Sequence, residues 1–321
     1  MHRDREQALP LSTALRRQMM LYLLPLMMGP LLMLLVGCFV LPSKWVALHS
    51  QNTYLVNLGW GATLHNANCQ IVVYGDSTAM VGINPAVIKE RTGLNTCNIA
   101  EFEGMTILNG TMVLDRYLEQ NRKPQFIVFL YAPEDFDPPS QRNMVSTFEA
   151  INWRMGQPHK LASLYAIRHH PQYFFEWIEQ GWRTVIQRLG TKPAAPKVVD
   201  FRADHSGQFP IEAPTQTACE DTVRPTSVPS EEWVSGLRKY NRDDMTVLVD
   251  STPMPPCDPK LTYFRERLSG LIDNEVKTLP IGSFTTDGRL HVNAAGSVLL
   301  SNTVANQILQ RMSGNSTTGA R

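Results

Sequence analysis

Two short polar segments, far apart in the chain, carry the residue types that activate a serine. The first segment, Tyr74 to Thr78, contains Ser77, and the second, Asp287 to His291, ends in a histidine. A serine hydroxyl becomes a nucleophile when a nearby base removes its proton and an acid orients that base. Ser77, His291 and Asp287 are the candidate nucleophile, base and acid, so the two segments together predict serine-dependent acyl transfer.

The residues around Ser77 indicate how the fold positions it. Ile71 to Tyr74 is apolar and rich in β-branched residues, which is typical of a buried parallel strand. Gly75 and Asp76 favour a turn, and the residues that follow favour a helix. Ser77 is therefore predicted at the carboxyl end of a strand, where open α/β sheets place their sites. For Asp76 we predict a helix cap, because a carboxylate there accepts free N–H groups.

The two segments resemble the first and last sequence blocks of the SGNH, or GDSL-type, hydrolase superfamily. That family has Gly-Asp-Ser after its first strand and an Asp and a His shortly before its C-terminal helix; here the His is followed by Val292 to Gly296. The resemblance implies a flavodoxin-like three-layer α/β fold with a parallel sheet. It also implies the catalytic residues Ser77, Asp287 and His291, without a cofactor or a metal.

A second block of the family is matched by the segment after Thr96 to Ala100, which is predicted to be a short strand. The family places there a glycine whose backbone N–H joins that of the serine in binding the oxyanion. The resemblance therefore assigns the oxyanion donors to Ser77 and Gly104. An ordinary turn glycine between strand and helix is the alternative interpretation of Gly104.

Two departures from the family pattern bear on activity. The acid precedes the histidine by four residues, where the family has three. The family's third block carries an oxyanion-binding Asn, whereas here the predicted strand Phe126 to Leu130 runs into Tyr131 to Asp135 without one. Losing one such donor costs on the order of a hundredfold in rate. Glu134 and Asp135 in this loop are candidates to contact substrate or to orient His291.

The N-terminal region predicts a membrane anchor. Residues 1–18 are mostly polar and carry four arginines, while residues 19–41 contain no charge and are long enough to cross a bilayer. The positive-inside bias then places the N-terminus in the cytoplasm and the rest of the chain outside, periplasmic or extracellular, on a single span of the cytoplasmic (inner) membrane. A cleaved signal peptide and a lipid on Cys38 are the alternatives to this span.

The cysteines indicate an oxidising compartment. Apart from the one in the apolar segment, four of the five cysteines remain, an even number. Cys69 lies eight residues before the candidate nucleophile and Cys97 lies seven before the candidate oxyanion glycine, so the two cysteines have similar depth in neighbouring strands. We therefore predict a Cys69–Cys97 disulfide, and by default Cys219–Cys257; four free thiols are the alternative.

Outside a stretch over about 137–242, the domain from residue 69 to residue 312 alternates strands and helices, which predicts a parallel sheet with helices on both faces. We expect a linker over residues 42–68, a helical, aromatic-rich insertion over about 137–242 and a disordered tail over 313–321. Predicted strands are 71–74, 97–100, 126–130 and 245–249; predicted helices are 85–92, 106–120, 261–271 and 294–311. Aromatics of the insertion are expected either to pack a helical subdomain or to contact sugars or the membrane surface.

Other functions find little support in the sequence. The formal net charge is +1 and there is no basic run, so we expect no nucleic-acid partner. His169-His170 lacks the spacing of a metal site, and nothing in the sequence links an alternative Asp204-His205 dyad to the serine.

Resemblance and topology together imply an ester hydrolase or O-acyltransferase acting on cell-envelope or exported carbohydrate. Such an enzyme is expected within a polysaccharide-biosynthesis complex. Because of the two departures, a non-catalytic carbohydrate-binding or assembly protein is the alternative.

Overall fold

The computed structural model describes residues 13–39, 53–102, 111–136, 202–219, 228–287 and 290–318. The strands are β1 (Ile71–Gly75), β2 (Thr96–Asn98), β3 (Phe126–Tyr131) and β4 (Thr246–Ser251). The helices are α1 (Thr13–Phe39), α2 (Thr53–Ala62), α3 (Ser77–Gly82), α4 (Pro85–Thr92), α5 (Met112–Gln120), α6 (Glu231–Leu237), α7 (Leu261–Leu268) and α8 (Ala294–Thr318). Most of the predicted insertion, including its aromatic-rich part and His169-His170, lies outside these ranges.

The described strands form one parallel sheet in the order β2-β1-β3-β4. Val72 of β1 pairs with Cys97 of β2 on one side and with Ile127 of β3 on the other, so β1 is an interior strand. The predicted α/β class is confirmed, and the strand order is the one found in flavodoxin-like doubly wound sheets. The carboxyl ends of all these strands meet at one edge, which positions the residues that follow them.

Both faces of the sheet are buried against helices. Tyr74 packs in one apolar cluster with Tyr117 of α5 and Phe264 of α7. Val73, which points to the opposite face, packs in a second cluster with Ile308 of α8. Strands buried on both faces need uninterrupted apolar residues, which is the pattern that β1 and β3 show. The arrangement is compatible with a three-layer fold.

Helix α2 corrects the predicted linker over residues 42–68. Trp60 of this helix is 6% exposed and belongs to the core cluster on the α5 side. Gly59 and Gly61 lie within this helix, although glycine weakens isolated helices. In the structure Gly61 instead allows close packing, because a Cβ there would lie 2.8 Å from Cγ1 of Val113.

The C-terminal helix corrects the predicted tail. Helix α8 extends to Thr318, so residues 313–318 are helical, while 319–321 lie outside the described part. The segment contains no proline, and extending an existing helix adds one hydrogen bond per residue without a new nucleation step. Helix α7 in contrast ends at Leu268, three residues earlier than predicted, because Gly270 adopts a left-handed φ of 77°.

Helix α1 carries large apolar side chains that are exposed, among them Met20, Leu26 and Met27. Over the residues that the structure describes, no helix combines the length and the hydropathy needed to cross a membrane. The predicted span over residues 19–41 ends beyond the last described residue of α1 and stays a prediction.

Both predicted disulfides are present. The Cα atoms of Cys69 and Cys97 lie 5.7 Å apart, and those of Cys219 and Cys257 lie 6.0 Å apart. The first bridge joins Cys69, two residues before β1, to β2, and the two strands are hydrogen-bonded neighbours as the cysteine spacing predicted. The second bridge joins the segment 202–219 to the loop after β4.

Candidate active site

Ser77 is the first residue of α3 and follows β1 directly across the turn at Asp76. Gly75 ends the strand at a point of close approach, since a Cβ there would lie 1.8 Å from the main-chain oxygen of Leu130 in β3. Only glycine fits this position without moving the neighbouring strand. The glycine before the aspartate therefore lets β1 and β3 stay paired right up to the serine.

Asp76 caps α3, as its position predicted. Its Oδ1 accepts the N–H of Thr78 at 2.8 Å and that of Ala79 at 3.4 Å. Its Oδ2 accepts the N–H of Ala132 at 2.7 Å, in the loop after β3. One carboxylate thus fixes the helix that carries Ser77 and ties it to the third-block loop. The predicted capping role is confirmed.

The structure brings the predicted nucleophile and base together. Nε2 of His291 lies 2.9 Å from Oγ of Ser77, which is hydrogen-bonding distance. His291 is 9% exposed and directly precedes Val292, which forms a short antiparallel bridge with Phe284. The main-chain oxygen of His291 accepts the N–H of Thr285 at 2.8 Å, so backbone as well as side chain is fixed.

The other ring nitrogen of His291 contacts backbone. Nδ1 lies 2.6 Å from the main-chain oxygen of Asp287. A carbonyl oxygen only accepts hydrogen bonds, so Nδ1 carries the proton and Nε2 presents its lone pair to the Ser77 hydroxyl. This is the tautomer that a general base requires. The Asp287 residue is exposed, and the ring bond in the structure is to its carbonyl oxygen and not to its carboxylate.

The residue before His291 has a strained backbone. Leu290 has a φ of 63°, a left-handed value that costs a leucine about 1–2 kcal/mol. Its side chain is 8% exposed and packs in the core, which holds this conformation in place. Leu290 lies in the segment that joins Asp287 to His291, so its conformation contributes to setting the ring against its main-chain partner.

The final helix begins at a second cap close to the histidine. Oδ1 of Asn293 accepts the N–H of Gly296 at 3.0 Å, and its Nδ2 donates to the main-chain oxygen of Gly282 at 2.7 Å. Asn293 therefore caps α8 and links it to the loop at residues 281–283. This gives a structural reason for the Asn in the segment Val292 to Gly296.

Of the two predicted oxyanion donors, only Ser77 lies in the described part of the chain. The cap at Asp76 uses the N–H groups of Thr78 and Ala79, so it leaves the Ser77 N–H outside the cap. An N–H in the first turn of a helix has no intrahelical partner, which suits it to bind developing negative charge. Gly104 lies in residues 103–110, outside the described part, and its role stays a prediction.

The start of the second block is anchored beside Ser77. The N–H of Glu101 donates to the main-chain oxygen of Gly75 at 3.1 Å, and its carboxylate accepts the phenol of Tyr74 at 2.9 Å. Burial, and then the charge of Glu101, raise the pKa of Tyr74 well above its ordinary value, so the phenol stays a neutral donor. This contact fixes the β2 side of the site.

Asn98 was not predicted as important, yet it clamps the helix that carries the serine. It is fully buried, and its Nδ2 donates to the main-chain oxygens of Ala79 at 2.9 Å and Ile83 at 3.1 Å. Its Oδ1 accepts the N–H of Ala100 at 3.1 Å. One side chain satisfies carbonyls at the end of α3 and a donor of the second block. A polar residue between apolar neighbours in a short strand was the available signal.

Arg202 is a second residue that sequence reasoning missed. Its buried guanidinium donates to the main-chain oxygens of Asn98 and Ala100, each at 3.0 Å, and lies 4.4 Å from the ring centroid of Trp60. Burial lowers its pKa to about 9, so the group remains a cation at neutral pH. Arg202 thereby attaches the described part of the insertion to the end of β2, next to the second block.

Glu134, Asp204 and His205, three further candidate residues, have different surroundings from the imidazole of His291. Glu134 forms an ion pair with Lys260, so this carboxylate is committed to a lysine and not to His291. Asp204 and His205 line a groove of about 840 Å³ that also contains Val292. Asp204 and His205 thus line this groove, whereas the hydroxyl of Ser77 is hydrogen-bonded to His291. Within the described residues no group of three or more metal-ligating side chains occurs.

Comparisons with protein-family models, with curated proteins and with solved structures found no match.

Proposed function

We propose that this protein is a serine-dependent acyl ester hydrolase or O-acyltransferase acting on an exported or cell-envelope carbohydrate. One observation carries the proposal. Ser77 Oγ lies 2.9 Å from His291 Nε2, while Nδ1 of the same ring donates to a main-chain oxygen. This is the hydrogen-bond order of an activated serine, in which the base accepts from the nucleophile and is held by a third group.

The reaction follows from that order. His291 takes the proton of Ser77 as its oxygen attacks the acyl carbonyl, and the N–H of Ser77, with that of Gly104, stabilises the oxyanion. The histidine then gives the proton to the departing alcohol, leaving an ester on Ser77. Water as the second acceptor completes a hydrolysis, and a sugar hydroxyl completes an acyl transfer.

A main-chain oxygen in place of a carboxylate affects the rate. A carbonyl dipole orients the ring and fixes the tautomer, but it stabilises the imidazolium cation less than a full negative charge does. The lack of a third-block Asn is also expected to lower the rate, because one oxyanion donor is missing. We therefore propose a slow enzyme; the same two features favour the second candidate function, a non-catalytic carbohydrate-binding or assembly protein with a degenerate site.

The setting of the enzyme is also proposed. The sequence blocks around Ser77 and His291 support an SGNH-type fold with a helical insertion, and the apolar segment 19–41 supports a single anchor in the cytoplasmic membrane with the N-terminus inside. Two disulfides fit an oxidising compartment such as the periplasm. A tethered domain there supports a place in a complex that builds or modifies an exported polysaccharide.

Hydrolysis of 4-nitrophenyl acetate by the full-length chain tests the proposal. The wild type is expected to release 4-nitrophenol, Ser77→Ala is expected to lose nearly all of this activity, and Ser235→Ala, an exposed serine of α6, is the matched control. If Ser77→Ala hydrolyses the ester as fast as the wild type, the serine mechanism is wrong. Oligosaccharide binding without any turnover would support the non-catalytic alternative.

A further inference from the structure

A cavity of about 340 Å³ lies at the edge of the sheet where the strands end, on the β4 side of Ser77. Glu134 follows β3, Lys260 comes just before α7 after β4, and Leu290 precedes His291; all three line it. The second block lies after β2, on the other side of β1. The cavity and the described start of that block, residues 99–102, are therefore on opposite sides of the serine, because β1 stands between β2 and β3.

The segment that carries the base forms one wall of this cavity. Thr285 and Leu290 line it, and the N–H of Thr285 donates to the main-chain oxygen of His291 at 2.8 Å. One lining residue of the cavity is thus hydrogen-bonded to the backbone of the predicted general base, and a second one, Leu290, directly precedes it. The disulfide residue Cys219 and Pro255 line another part, so the cavity is bounded by cross-linked chain.

The charges of the lining disfavour an anionic ligand. The side chain of Lys260 is 6% exposed and is paired with Glu134, so its charge is already balanced. Asp258 adds a further carboxylate, and its Oδ1 accepts the N–H of Lys260 at 2.9 Å. The lining therefore contains two carboxylates and one ammonium group. Carboxylate oxygens accept hydrogen bonds from hydroxyl groups, while like charges repel an anion.

The neutral polar groups point to the same ligand class. Gln216 and Thr286 contribute an amide and a hydroxyl, and Leu290 and Pro255 contribute apolar surface. A mixture of hydroxyl-binding groups with small apolar patches suits a sugar ring, which has hydroxyls at its edge and C–H groups on its faces. The volume falls in the range of about 300–1,000 Å³ that small-molecule sites occupy.

We propose that this cavity binds the acyl acceptor, a neutral, hydroxyl-rich molecule such as an uncharged sugar unit. The inference rests on the proposed function. Once Ser77 carries the acyl group, a hydroxyl of the bound ligand gives its proton to Nε2 of His291 while its oxygen bonds to the acyl carbon. The bond from that carbon to Oγ of Ser77 breaks, and Oγ takes the proton back from His291. The ligand leaves as an ester, with no further reactant.

The partition of the acetyl-enzyme between sugar and water tests the site. The full-length chain is given 4-nitrophenyl acetate with methyl α-D-glucopyranoside or with its uronate analogue, and the ratio of acetylated sugar to free acetate is measured. We expect a higher ratio for the neutral sugar. Because this ratio is fixed after Ser77 is acylated, it does not depend on how fast the ester donor reacts.

Thr286→Trp fills the cavity and is expected to lower the ratio for the neutral sugar about tenfold. Thr217→Trp makes the same change of size at an exposed threonine that is not among the lining residues, and it should leave the ratio unchanged. Asp258→Asn keeps an Oδ1 acceptor for the N–H of Lys260 and removes one charge, so it should raise the ratio for the uronate alone.

Equal ratios for the two sugars, or a ratio that Thr286→Trp does not change, would overturn the acceptor site. Absence of 4-nitrophenol release by the wild type would instead overturn the proposed function. In that case, saturation-transfer NMR with methyl α-D-glucopyranoside tests directly whether the cavity binds the sugar. A signal in the wild type that is lost in Thr286→Trp supports it, and no signal in the wild type, or the same signal in both proteins, refutes it.

Discussion

Nδ1 of His291 lies 2.6 Å from the main-chain oxygen of Asp287, and this contact sets the proton on the side of the ring away from Ser77. A main-chain carbonyl is present whatever residue stands at position 287. The orientation of the base therefore depends on the path of the chain from Asp287 to His291, including the left-handed Leu290. The type of side chain at position 287 matters less.

The first prediction follows from that contact. Asp287→Ala keeps the main-chain oxygen, so kcat with 4-nitrophenyl acetate should fall by less than about tenfold, whereas His291→Ala should remove nearly all activity. Steady-state kinetics of both variants decide this. If kcat of Asp287→Ala falls about ten-thousandfold, as it does when the acid of a catalytic triad is replaced, then the carboxylate of Asp287 orients the ring.

A second prediction concerns the clamp at the end of β2. Asn98→Ala leaves the carbonyl of Ile83 and the N–H of Ala100 without their side-chain partner and removes one of two donors to the carbonyl of Ala79, so the free energy of unfolding should fall by about 2–4 kcal/mol. Asn302→Ala is the control, since Asn302 makes an exposed hydrogen bond within α8 at 2.9 Å. Denaturant unfolding measures both variants; equal losses would contradict the clamp.

The two disulfides are predicted to differ in function. Replacing either pair by serines should lower the free energy of unfolding by about 3–4 kcal/mol in the chain-entropy model, for sequence separations of 28 and 38 residues. Only the loss of Cys219–Cys257 should also reduce transfer to neutral sugar, because Cys219 lines the acceptor cavity and the Cys69–Cys97 pair does not. A drop in transfer after loss of Cys69–Cys97 alone, at a temperature where both variants are folded, would contradict this difference.

Asp250 at the end of β4 gives a prediction about pH. Burial raises the pKa of this carboxyl from 3.8 to about 6, against the lowering effect of its hydrogen bonds from Asn274 and Gln307. Between pH 3.8 and about 6, Asp250 in the folded protein therefore holds a proton that it has released in the unfolded chain. This contribution to stability is fully present below pH 3.8 and is lost as the pH rises through about 6.

Asp250→Asn should remove that pH dependence, which is on the order of 2 kcal/mol between acidic and neutral pH, because an amide does not titrate there. Unfolding curves of the wild type and the variant from acidic to neutral pH give the difference at each pH. Asp243→Asn, at an exposed aspartate, serves as control. If the free energy of unfolding of Asp250→Asn changes with pH as much as that of the wild type, Asp250 is not the group responsible.

Much of the framework could be predicted because its signals are local. Helix α4 was predicted with its observed ends, since Asn84 caps it, Pro85 starts it and Gly93, at a φ of 73°, follows it. The position of Ser77 followed from an apolar strand and a Gly-Asp turn. The disulfide between Cys69 and Cys97 followed from counting along two parallel strands.

What could not be predicted depends on where backbone atoms lie in space. Whether His291 contacts the carboxylate or the carbonyl of Asp287 is decided by backbone dihedrals, which residue types do not specify when a leucine adopts a left-handed φ. The roles of Asn98 and Arg202 depend on carbonyl groups that converge only after the sheet and α3 have packed. In the same way, Gly61 weakens α2 as an isolated helix but permits its contact with Val113.

The most direct test of the central claim is labelling with a fluorophosphonate probe, which reacts with a serine only when a base activates it. The full-length wild type should be labelled, and peptide mapping should find the probe on Ser77; Ser77→Ala and His291→Ala should both remain unlabelled, while Asp287→Ala should still react. Absence of labelling in folded wild type, or labelling that survives in Ser77→Ala, would contradict the account that Ser77 and His291 form a working nucleophile and base.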